Sequence, residues 1–265
     1  MGYRGLDLTG KAVLVTGGNS GIGLGMAEGM AEAGADVVIW GQNPEKNRAA
    51  ETALKRYGRK VHVLVYNVAE EAEVERGVAE SAQRLGRLDA CFANAGVSGR
   101  IGKHTKFTEM TTAEWRRVMS VNLDGVFYTI RSALAVLQRQ GQGGSLVVTG
   151  SQFGRMGNPL VEHYAAAKAG IESMMRSLAT EVGREGIRCN TVVPGYIDTP
   201  LTHERINSKQ FIDDAMHRHP VGRWGVPEDF AGIAVFLASD SSRWVTGQSF
   251  IIDGGFNIAA KVAGA

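Results

Sequence analysis

Tyr164 and Lys168 are the two residues whose types and spacing best suit acid–base chemistry. They stand four positions apart near the start of a predicted helix, and side chains at i and i+4 share one helix face. A phenol with an ordinary pKa near ~10 is a poor base at neutral pH, but a neighbouring ammonium favours the phenolate. The pair therefore predicts that Tyr164, with its pKa lowered by Lys168, exchanges a proton with an alcohol or a carbonyl oxygen.

Ser151 adds a third polar group to this pair. It follows an apolar run that ends at Thr149 and Gly150, which predicts a position at the carboxyl end of a strand, where the helix of Tyr164 begins. A hydroxyl there can donate to a substrate carbonyl oxygen and stabilise the charge that grows during hydride transfer. Ser151 could instead simply begin a helix or a turn. The spacing of Tyr164 and Lys168 could also arise by chance.

A glycine-rich turn follows the first predicted strand and opens a helix. Its Gly-x-x-x-Gly-x-Gly spacing allows a tight turn and lets backbone N–H groups approach a pyrophosphate at the helix N-terminus. The alternative is a helix-start turn that serves packing. The cofactor-binding positions predicted here are Gly17, Asn19, Ser20, Gly21, Ile22 and Gly23.

The end of the second predicted strand should distinguish NAD from NADP, because an acid there favours NAD and a nearby Arg favours NADP. Gln42 and Asn43 stand there, with neither an acidic residue nor an Arg beside them. Without a carboxylate to repel it, a 2′-phosphate has space, and Gln42, Asn43 and Lys46 are candidate donors nearby, so the residues favour NADP(H) slightly. Gln42 could equally bond an unphosphorylated ribose. Asn67 and Val68 follow the third strand and are predicted beside the adenine, although Asn67 could simply form a turn.

Short β-branched runs alternate with longer amphipathic stretches along the chain. The predicted strands are 12–16, 36–40, 61–66, 88–93, 145–149, 188–193 and 248–252, and the predicted helices are 21–33, 44–57, 70–85, 111–138, 162–183, 208–217 and 227–238. Continuous apolar strands predict a parallel sheet covered on both faces, and the alternation predicts right-handed βαβ units. We therefore expect an α/β protein: a single Rossmann-type doubly wound domain over 1–265, with a seven-stranded parallel sheet and helices on both faces.

The polar stretch 198–223 interrupts this rhythm after a strand's carboxyl end. Ligands of open α/β sheets bind outside that end, so the stretch is predicted to be a substrate lid. An ordinary pair of surface helices is the alternative.

Composition excludes several classes of protein. The 265 residues carry 29 Lys and Arg against 27 Asp and Glu, a net charge of +2, which argues against a nucleic-acid binder. No apolar run approaches the ~18 residues of a membrane span, and the N-terminus lacks an apolar signal region. Cys91 and Cys189 lie isolated in apolar stretches, which suggests small buried side chains in a reducing compartment. We expect a cytoplasmic protein without a metal, since no third ligand accompanies His217 and His219 at a suitable spacing.

In order and spacing, these motifs resemble the classical short-chain dehydrogenase/reductase family over nearly the whole chain. Further matches are Ala93-Asn94-Ala95-Gly96, Val121-Asn122, and Pro194-Gly195 followed by Thr199. The resemblance implies an NAD(P)-dependent oxidoreductase that interconverts a secondary alcohol and a ketone. It also implies a homotetramer, paired through 111–138 and 162–183 on one axis and through 248–257 on another.

The resemblance also implies roles for the matching residues. Tyr164 would be the general acid in reduction and the base in oxidation, and Lys168 would lower its pKa and bond the nicotinamide ribose. Ser151 would polarise the substrate oxygen, and Asn122 would hold a water that links Lys168 to solvent. The remaining cofactor positions implied are Asn94, Ala95, Gly96, Pro194, Gly195, Ile197 and Thr199. Two departures stand out, since Ala93 replaces a common Asn and Asn67 replaces a common Asp.

The substrate is predicted to be a small carbonyl or alcohol compound: a sugar or polyol, a cyclic ketone or a hydroxy-ester. Besides Ser151 and Tyr164, its predicted contacts are Phe153 and Tyr196, which could instead pack the lid. Further pocket positions from chain order are Ser98, Gln152, Asn158, Glu162 and His203, whereas His163 is predicted to face away from Tyr164. The main alternative function is a non-catalytic NAD(P)-binding sensor. A methyltransferase would not need the set of Ser151, Tyr164 and Lys168. An epimerase of the extended relatives would need a longer chain.

Overall fold

A seven-stranded sheet is the framework of the computed structural model, which describes residues 4–99 and 106–259. Its strands are β1 (Ala12–Thr16), β2 (Asp36–Trp40), β3 (Val61–Leu64), β4 (Ala90–Ala93), β5 (Gly144–Thr149), β6 (Ile187–Pro194) and β7 (Ser249–Ile252). All neighbouring strands run parallel, in the order β3-β2-β1-β4-β5-β6-β7. The strand order reverses between β1 and β4, and a crevice for ligands forms at such a switch point.

Helices cover both faces of this sheet. They are α1 (Gly21–Glu32), α2 (Pro44–Lys55), α3 (Glu71–Leu85), α4 (Thr112–Met119), α5 (Gly125–Gln140), α6 (Glu162–Val182), α7 (His203–Ile206), α8 (Lys209–Ala215) and α9 (Ala231–Ala238). Because strand side chains alternate between faces, Leu14 joins an apolar cluster with α3, α5 and α6. Val13 and Val15 join the opposite cluster with α1, α2 and α9. The predicted doubly wound fold is confirmed.

The predicted helix 111–138 is wrong in one respect, because a wider π-helical turn, Ser120–Asp124, separates α4 from α5. Asn122 explains the interruption. Its amide nitrogen donates to the carbonyl of Val118 at 3.1 Å and to that of Val97 at 2.9 Å. A side chain that inserts into the helical hydrogen-bond ladder is a recognised cause of such a break. The predicted helix 227–238 begins as a 3-10 turn, Pro227–Phe230, before α9, and α7 was not predicted. The other predicted bounds agree to within about two residues, as helix and strand assignments usually do.

The segment predicted as a lid leaves β6 and contains α7 and α8. Two backbone hydrogen bonds close its base, from Gly225 N to Tyr196 O at 3.0 Å and from Asp198 N to Gly225 O at 2.8 Å. A small apolar cluster joins Ile206 and Ala215 of the segment to Trp224, which directly follows it. The segment is thus a closed excursion at the carboxyl edge of the sheet, and its action as a lid stays a prediction. The predicted domain bounds also include 1–3, 100–105 and 260–265, which lie outside the described residues.

None of the described helices is both long and apolar enough to cross a bilayer.

Candidate active site

A cleft of about 500 Å³ opens at the carboxyl edge of the sheet, across the switch point. It brings together most of the residues predicted from sequence. Those lining it are Gly17, Asn19, Ser20, Gly21, Ile22, Gln42, Asn67, Val68, Asn94, Ala95, Gly96, Asn122, Ser151, Tyr164, Lys168, Pro194, Gly195, Ile197 and Thr199. Gly23, Asn43, Phe153 and Tyr196 are not part of this lining.

The glycine turn has the backbone that its sequence predicts. Gly17 and Gly21 have φ of 64° and 55°, a left-handed conformation that side chains other than glycine rarely adopt. A Cβ on Gly17 would lie 2.8 Å from the Ala95 Cα, and one on Gly21 would lie 3.3 Å from Thr199. The turn is therefore open to a ligand and closely apposed to the chain after β4 and β6.

Gly23 was expected to bind the cofactor, but it is buried and packs inside the turn. A Cβ there would lie 2.4 Å from both the Gly17 carbonyl oxygen and the Asn94 amide nitrogen. Its role is close packing of α1 under the turn, which leaves Asn94 in place. The spacing of glycines along the sequence cannot separate these two roles.

Asn94 ties three strand ends together. Its amide nitrogen donates to the carbonyls of Thr16 at 3.2 Å and Gly17 at 3.3 Å, and its amide oxygen accepts from Thr149 Oγ1 at 3.0 Å. The Thr16 hydroxyl accepts from the backbone N–H groups of Asn94 and Ala95, each at 3.1 Å. Sequence reasoning missed the two threonines, although each is the polar last residue of an otherwise apolar strand.

The far end of the cleft is lined by Gln42, Lys46, Asn67 and Val68, together with Trp40 and Tyr66, which sequence reasoning missed. Asn67 also forms the turn considered as its alternative role, because its Oδ1 accepts from Ala69 N at 3.1 Å. The Trp40 and Tyr66 rings are 5.1 Å apart and give this end an aromatic wall.

Asn43 is the N-cap of α2, and its side chain accepts from Lys46 N at 3.0 Å. Its oxygen is used in capping, and its predicted contact with the cofactor stays a prediction. Asn47 was missed, yet it is buried and links Asn19 to the Gly41 carbonyl through two hydrogen bonds of 2.8 Å. This chain of amides holds the glycine turn against the start of α2.

At the other end of the cleft, Lys168 is 4% exposed and its Nζ donates to the Thr149 carbonyl at 2.7 Å. The same Nζ lies 5.6 Å from the centre of the Tyr164 ring. Ser151 hydrogen-bonds Tyr164, and its Oγ also accepts from Phe153 N at 3.2 Å. The three side chains predicted to do chemistry therefore meet at one place.

Asn122 and Gly96 complete this end of the cleft. Asn122 Oδ1 accepts from Val97 N at 3.2 Å. A Cβ on Gly96 would lie 2.7 Å from Asn122 Oδ1 and 3.8 Å from Lys168 Nζ. The missing side chain of Gly96 therefore keeps the space between the Asn122 amide and the Lys168 ammonium open.

The expected lowering of the Tyr164 pKa by Lys168 is not what this structure shows. Burial raises the pKa of the Tyr164 phenol, and the Ser151 hydrogen bond opposes that rise. Burial also lowers the pKa of Lys168 to about 8. The physical reason is that both groups lose contact with water, which disfavours the phenolate of Tyr164 and the ammonium of Lys168 alike. Tyr164 thus keeps its proton at neutral pH, as a general acid must.

Phe153 and Tyr196 lie in an aromatic cluster beside the cleft. The Phe153 ring meets those of Tyr164 and Tyr196 edge-on, at 6.5 and 5.9 Å between ring centres. Tyr196 in turn contacts Phe211 at 5.0 Å and Phe256 at 5.1 Å. The cluster packs against the Tyr164 ring through Phe153. The predicted contact of Phe153 and Tyr196 with a substrate stays a prediction.

The remaining pocket candidates are spread around this end. The Ser98 carbonyl accepts from Arg117 at 2.9 Å, and His203 bonds Asp198 at 2.8 Å on the exposed side of the excursion. His163 is buried and directs its Nε2 toward Glu114 of α4, at 3.4 Å. Asn158 and Glu162 are half-buried and Gln152 is buried.

Two further predictions concern cysteines and metals. Cys91 and Cys189 are buried free thiols, as predicted, and burial raises the pKa of each to about 12. His219 packs between the rings of Trp224 and Phe256. Within 4–99 and 106–259, no three His, Cys, Asp or Glu side chains are grouped so as to hold a metal ion.

The donor set fits a dinucleotide. Backbone approach at Gly17 and Gly21 suits a pyrophosphate at the start of α1, and the aromatic wall at Trp40 and Tyr66 suits an adenine. The cleft continues from there to Tyr164 and Lys168, so a single extended ligand can reach the acid–base pair.

Comparisons with known proteins agree with this geometry. A family model described as enoyl-(acyl carrier protein) reductase matches residues 17–257. L-Rhamnose 1-dehydrogenase (NAD(P)(+)) of Sphingomonas sp. (strain SKA58) is 36% identical over 254 residues, covering 95% of this chain and 98% of that protein. Gluconate 5-dehydrogenase of Gluconobacter oxydans (strain 621H) is 33% identical, covering 96% and 97% respectively. The crystal structure of a short-chain type dehydrogenase/reductase from Mycobacterium marinum has a TM-score of 0.90 at 30% identity, covering 96% of this chain and 98% of that one.

Proposed function

Since this chain belongs to the classical short-chain dehydrogenase/reductase family and is an NAD(P)-dependent oxidoreductase acting on CH–OH groups (EC 1.1.1.-), we propose that Tyr164 is its acid–base residue. The proposed substrate is a secondary alcohol or ketone of the sugar, polyol, cyclic ketone or hydroxy-ester class. One observation supports the proposal: Ser151, Tyr164 and Lys168 meet in a cleft that the glycine turn also lines.

The mechanism follows from what each side chain can do. The bound nicotinamide supplies or accepts the hydride. Ser151 donates to the substrate oxygen, so it stabilises the negative charge that develops there during reduction. Tyr164, whose pKa is raised by burial, delivers its proton to that oxygen. Lys168 returns a proton to the Tyr164 phenolate through the space that Gly96 leaves beside Asn122.

We propose NADP(H) as the preferred cofactor. Gly17, Ser20 and Gly21 would hold the pyrophosphate, while Gln42 and Lys46 line the ribose end of the cleft. An ammonium at that end attracts a 2′-phosphate and does little for a free hydroxyl. Lys46→Ala should therefore raise KM for NADPH much more than KM for NADH, and an equal change would contradict this preference.

The excursion 198–223 is proposed to act as the substrate lid of a single domain, because Thr199, Pro200, Leu201 and Thr202 of its first turn line the cleft. A cytoplasmic homotetramer is likewise proposed. It is supported by apolar side chains that are left exposed, with Phe127 of α5 at 41% and Trp244 at 96%, since such surface often marks an interface.

Tyr164→Phe is the direct test, measured against ketones, ketoses and polyols with both cofactors. The wild type should turn over substrate, and the variant should lose at least ~100-fold in kcat, the scale of general acid–base catalysis. Cofactor affinity should change little, because the ring and its packing on Phe153 are retained. Full activity in the variant would refute the mechanism. Cofactor binding by a wild type that turns over nothing would favour the non-catalytic sensor instead.

A further inference from the structure

The buried face of α2 carries a polar residue. The buried residues of this helix are Asn47, Ala50 and Leu54, at the three- and four-residue spacing of a face that packs on the core. Asn47 is 7% exposed, and a polar side chain at such a position costs free energy unless its hydrogen bonds are made. An apolar residue would serve packing alone, so the partners of Asn47 call for an explanation.

Both ends of the Asn47 amide bond residues that line the cleft. Its Oδ1 accepts from Asn19 Nδ2 at 2.8 Å, and its Nδ2 donates to the Gly41 carbonyl at 2.8 Å. Asn19 and Gly41 belong to the cleft lining, whereas Asn47 lies behind them and does not. Asn47 can therefore influence a bound ligand through these two partners.

The two amides fit closely over the end of β2. A Cβ on Gly41 would lie 2.1 Å from Asn19 Nδ2 and 2.4 Å from Asn47 Oδ1, so the missing side chain of Gly41 gives the pair its space. Gly18 N also donates to the Trp40 carbonyl, at 3.1 Å. The glycine turn is thus fastened to β2 by a backbone hydrogen bond and to α2 by Asn47.

The glycine turn depends on such contacts from outside it. Ser20 is the N-cap of α1, yet its hydroxyl caps none of the described backbone N–H groups. Glycines also lose more conformational freedom than other residues when they become ordered. A loop that is already held in its bound conformation loses less entropy when the ligand arrives, and it therefore binds more tightly.

We propose that Asn47 is a positioning residue for the cofactor: it holds Asn19, and with it the glycine turn, in the conformation that receives the pyrophosphate. This role rests on the proposed cofactor site and goes beyond it, because Asn47 acts from the buried side of α2. The pyrophosphate is common to NADPH and NADH. Asn47 therefore affects both cofactors, unlike the role proposed for Lys46.

The first test titrates NADPH and NADH by their fluorescence, which measures binding apart from turnover. Asn47→Ala should raise Kd for both cofactors about tenfold, the scale of one good hydrogen bond, with a much smaller effect on kcat at saturating cofactor. Asn47→Ser, which shortens the side chain but keeps a polar group at the buried site, carries the same expectation if Asn47→Ala does not fold. An unchanged Kd, or a rise for one cofactor alone, overturns the proposal and leaves the cofactor site in place. A wild type that binds neither cofactor overturns the proposed cofactor site, and this role with it.

The second test asks whether Asn47 acts through Asn19. In a protein that already carries Asn19→Ala, Asn47→Ala should change Kd by less than about twofold, because the effects of two residues that act as a unit do not add. Leu54→Ala, on the same buried face of α2, is the matched control: it should lower Tm through lost packing and leave Kd nearly unchanged. Effects that add in the double variant, or a rise in Kd for Leu54→Ala as large as for Asn47→Ala, would assign Asn47 to the general stability of α2 and overturn the proposal.

Discussion

Replacement of Lys168 by Met is expected to change how the stability of this protein depends on pH. Lys168 is almost fully buried, and burial lowers its pKa from 10.5 to about 8. The unfolded chain therefore binds this proton more tightly than the folded one. The lysine's contribution to the free energy of unfolding accordingly rises with pH, from about pH 8 to about pH 10.5.

The magnitude follows from that lowering. It corresponds to about 3 kcal/mol between the two protonation states. Between pH ~7 and pH ~9.5, the wild type should gain about 2 kcal/mol of unfolding free energy relative to Lys168→Met. The hydrogen bond to the Thr149 carbonyl is stronger for the charged lysine than for the neutral one, and this difference is already contained in the folded-state pKa of about 8.

Urea unfolding followed by circular dichroism at the two pH values measures this difference. Both proteins should carry Tyr164→Phe, which removes the titration of the neighbouring phenol. Lys60→Met, at an exposed position, controls for the loss of a surface charge and should show no comparable change. A stability difference between the two proteins that is independent of pH would refute the burial argument for Lys168.

Two further predictions concern the phenol and the packing of α1. Because burial raises the pKa of Tyr164, kcat/KM for alcohol oxidation should rise with pH between about 7 and about 9, whereas carbonyl reduction should not; initial rates in both directions test this, and a flat oxidation profile contradicts it. Gly25→Ala should destabilise the protein by about 1–3 kcal/mol, because its Cβ would lie 2.1 Å from the Pro227 carbonyl oxygen. Gly232→Ala in α9 meets open space and should be neutral or stabilising by up to ~1 kcal/mol, so equal losses in urea unfolding would contradict the packing argument.

Much of the fold was predictable because strands covered on both faces read as continuous apolar runs. β1 and β2 begin and end at the predicted residues. The π-helical turn around Asn122 was not predictable, because amphipathic spacing continues through it. It goes with the hydrogen bonds of the Asn122 amide to Val118 and to Val97, and Val97 is distant in the chain.

Much of the site was predictable as well, namely which side chains meet in the cleft. Ser151, Tyr164 and Lys168 follow elements whose ends meet at one edge of a parallel sheet, so their convergence follows from local pattern and topology. Gly23 and Asn43 were assigned to the cofactor, yet one packs beneath the turn and the other caps α2. A glycine or asparagine at such a position can bind a cofactor, pack closely or cap a helix, and only the atoms around it decide between these roles.

The sequence by itself determined the fold class and the glycine turn and singled out Tyr164 and Lys168 as the proposed acid–base pair, because these depend on short-range patterns and on side-chain chemistry. The tertiary structure decided the protonation of that pair. Burial raises the pKa of Tyr164 and lowers that of Lys168, whose ammonium bonds Thr149 across the site. Desolvation and hydrogen bonding depend on what packs around a group, and that is set only when distant segments of the chain come together.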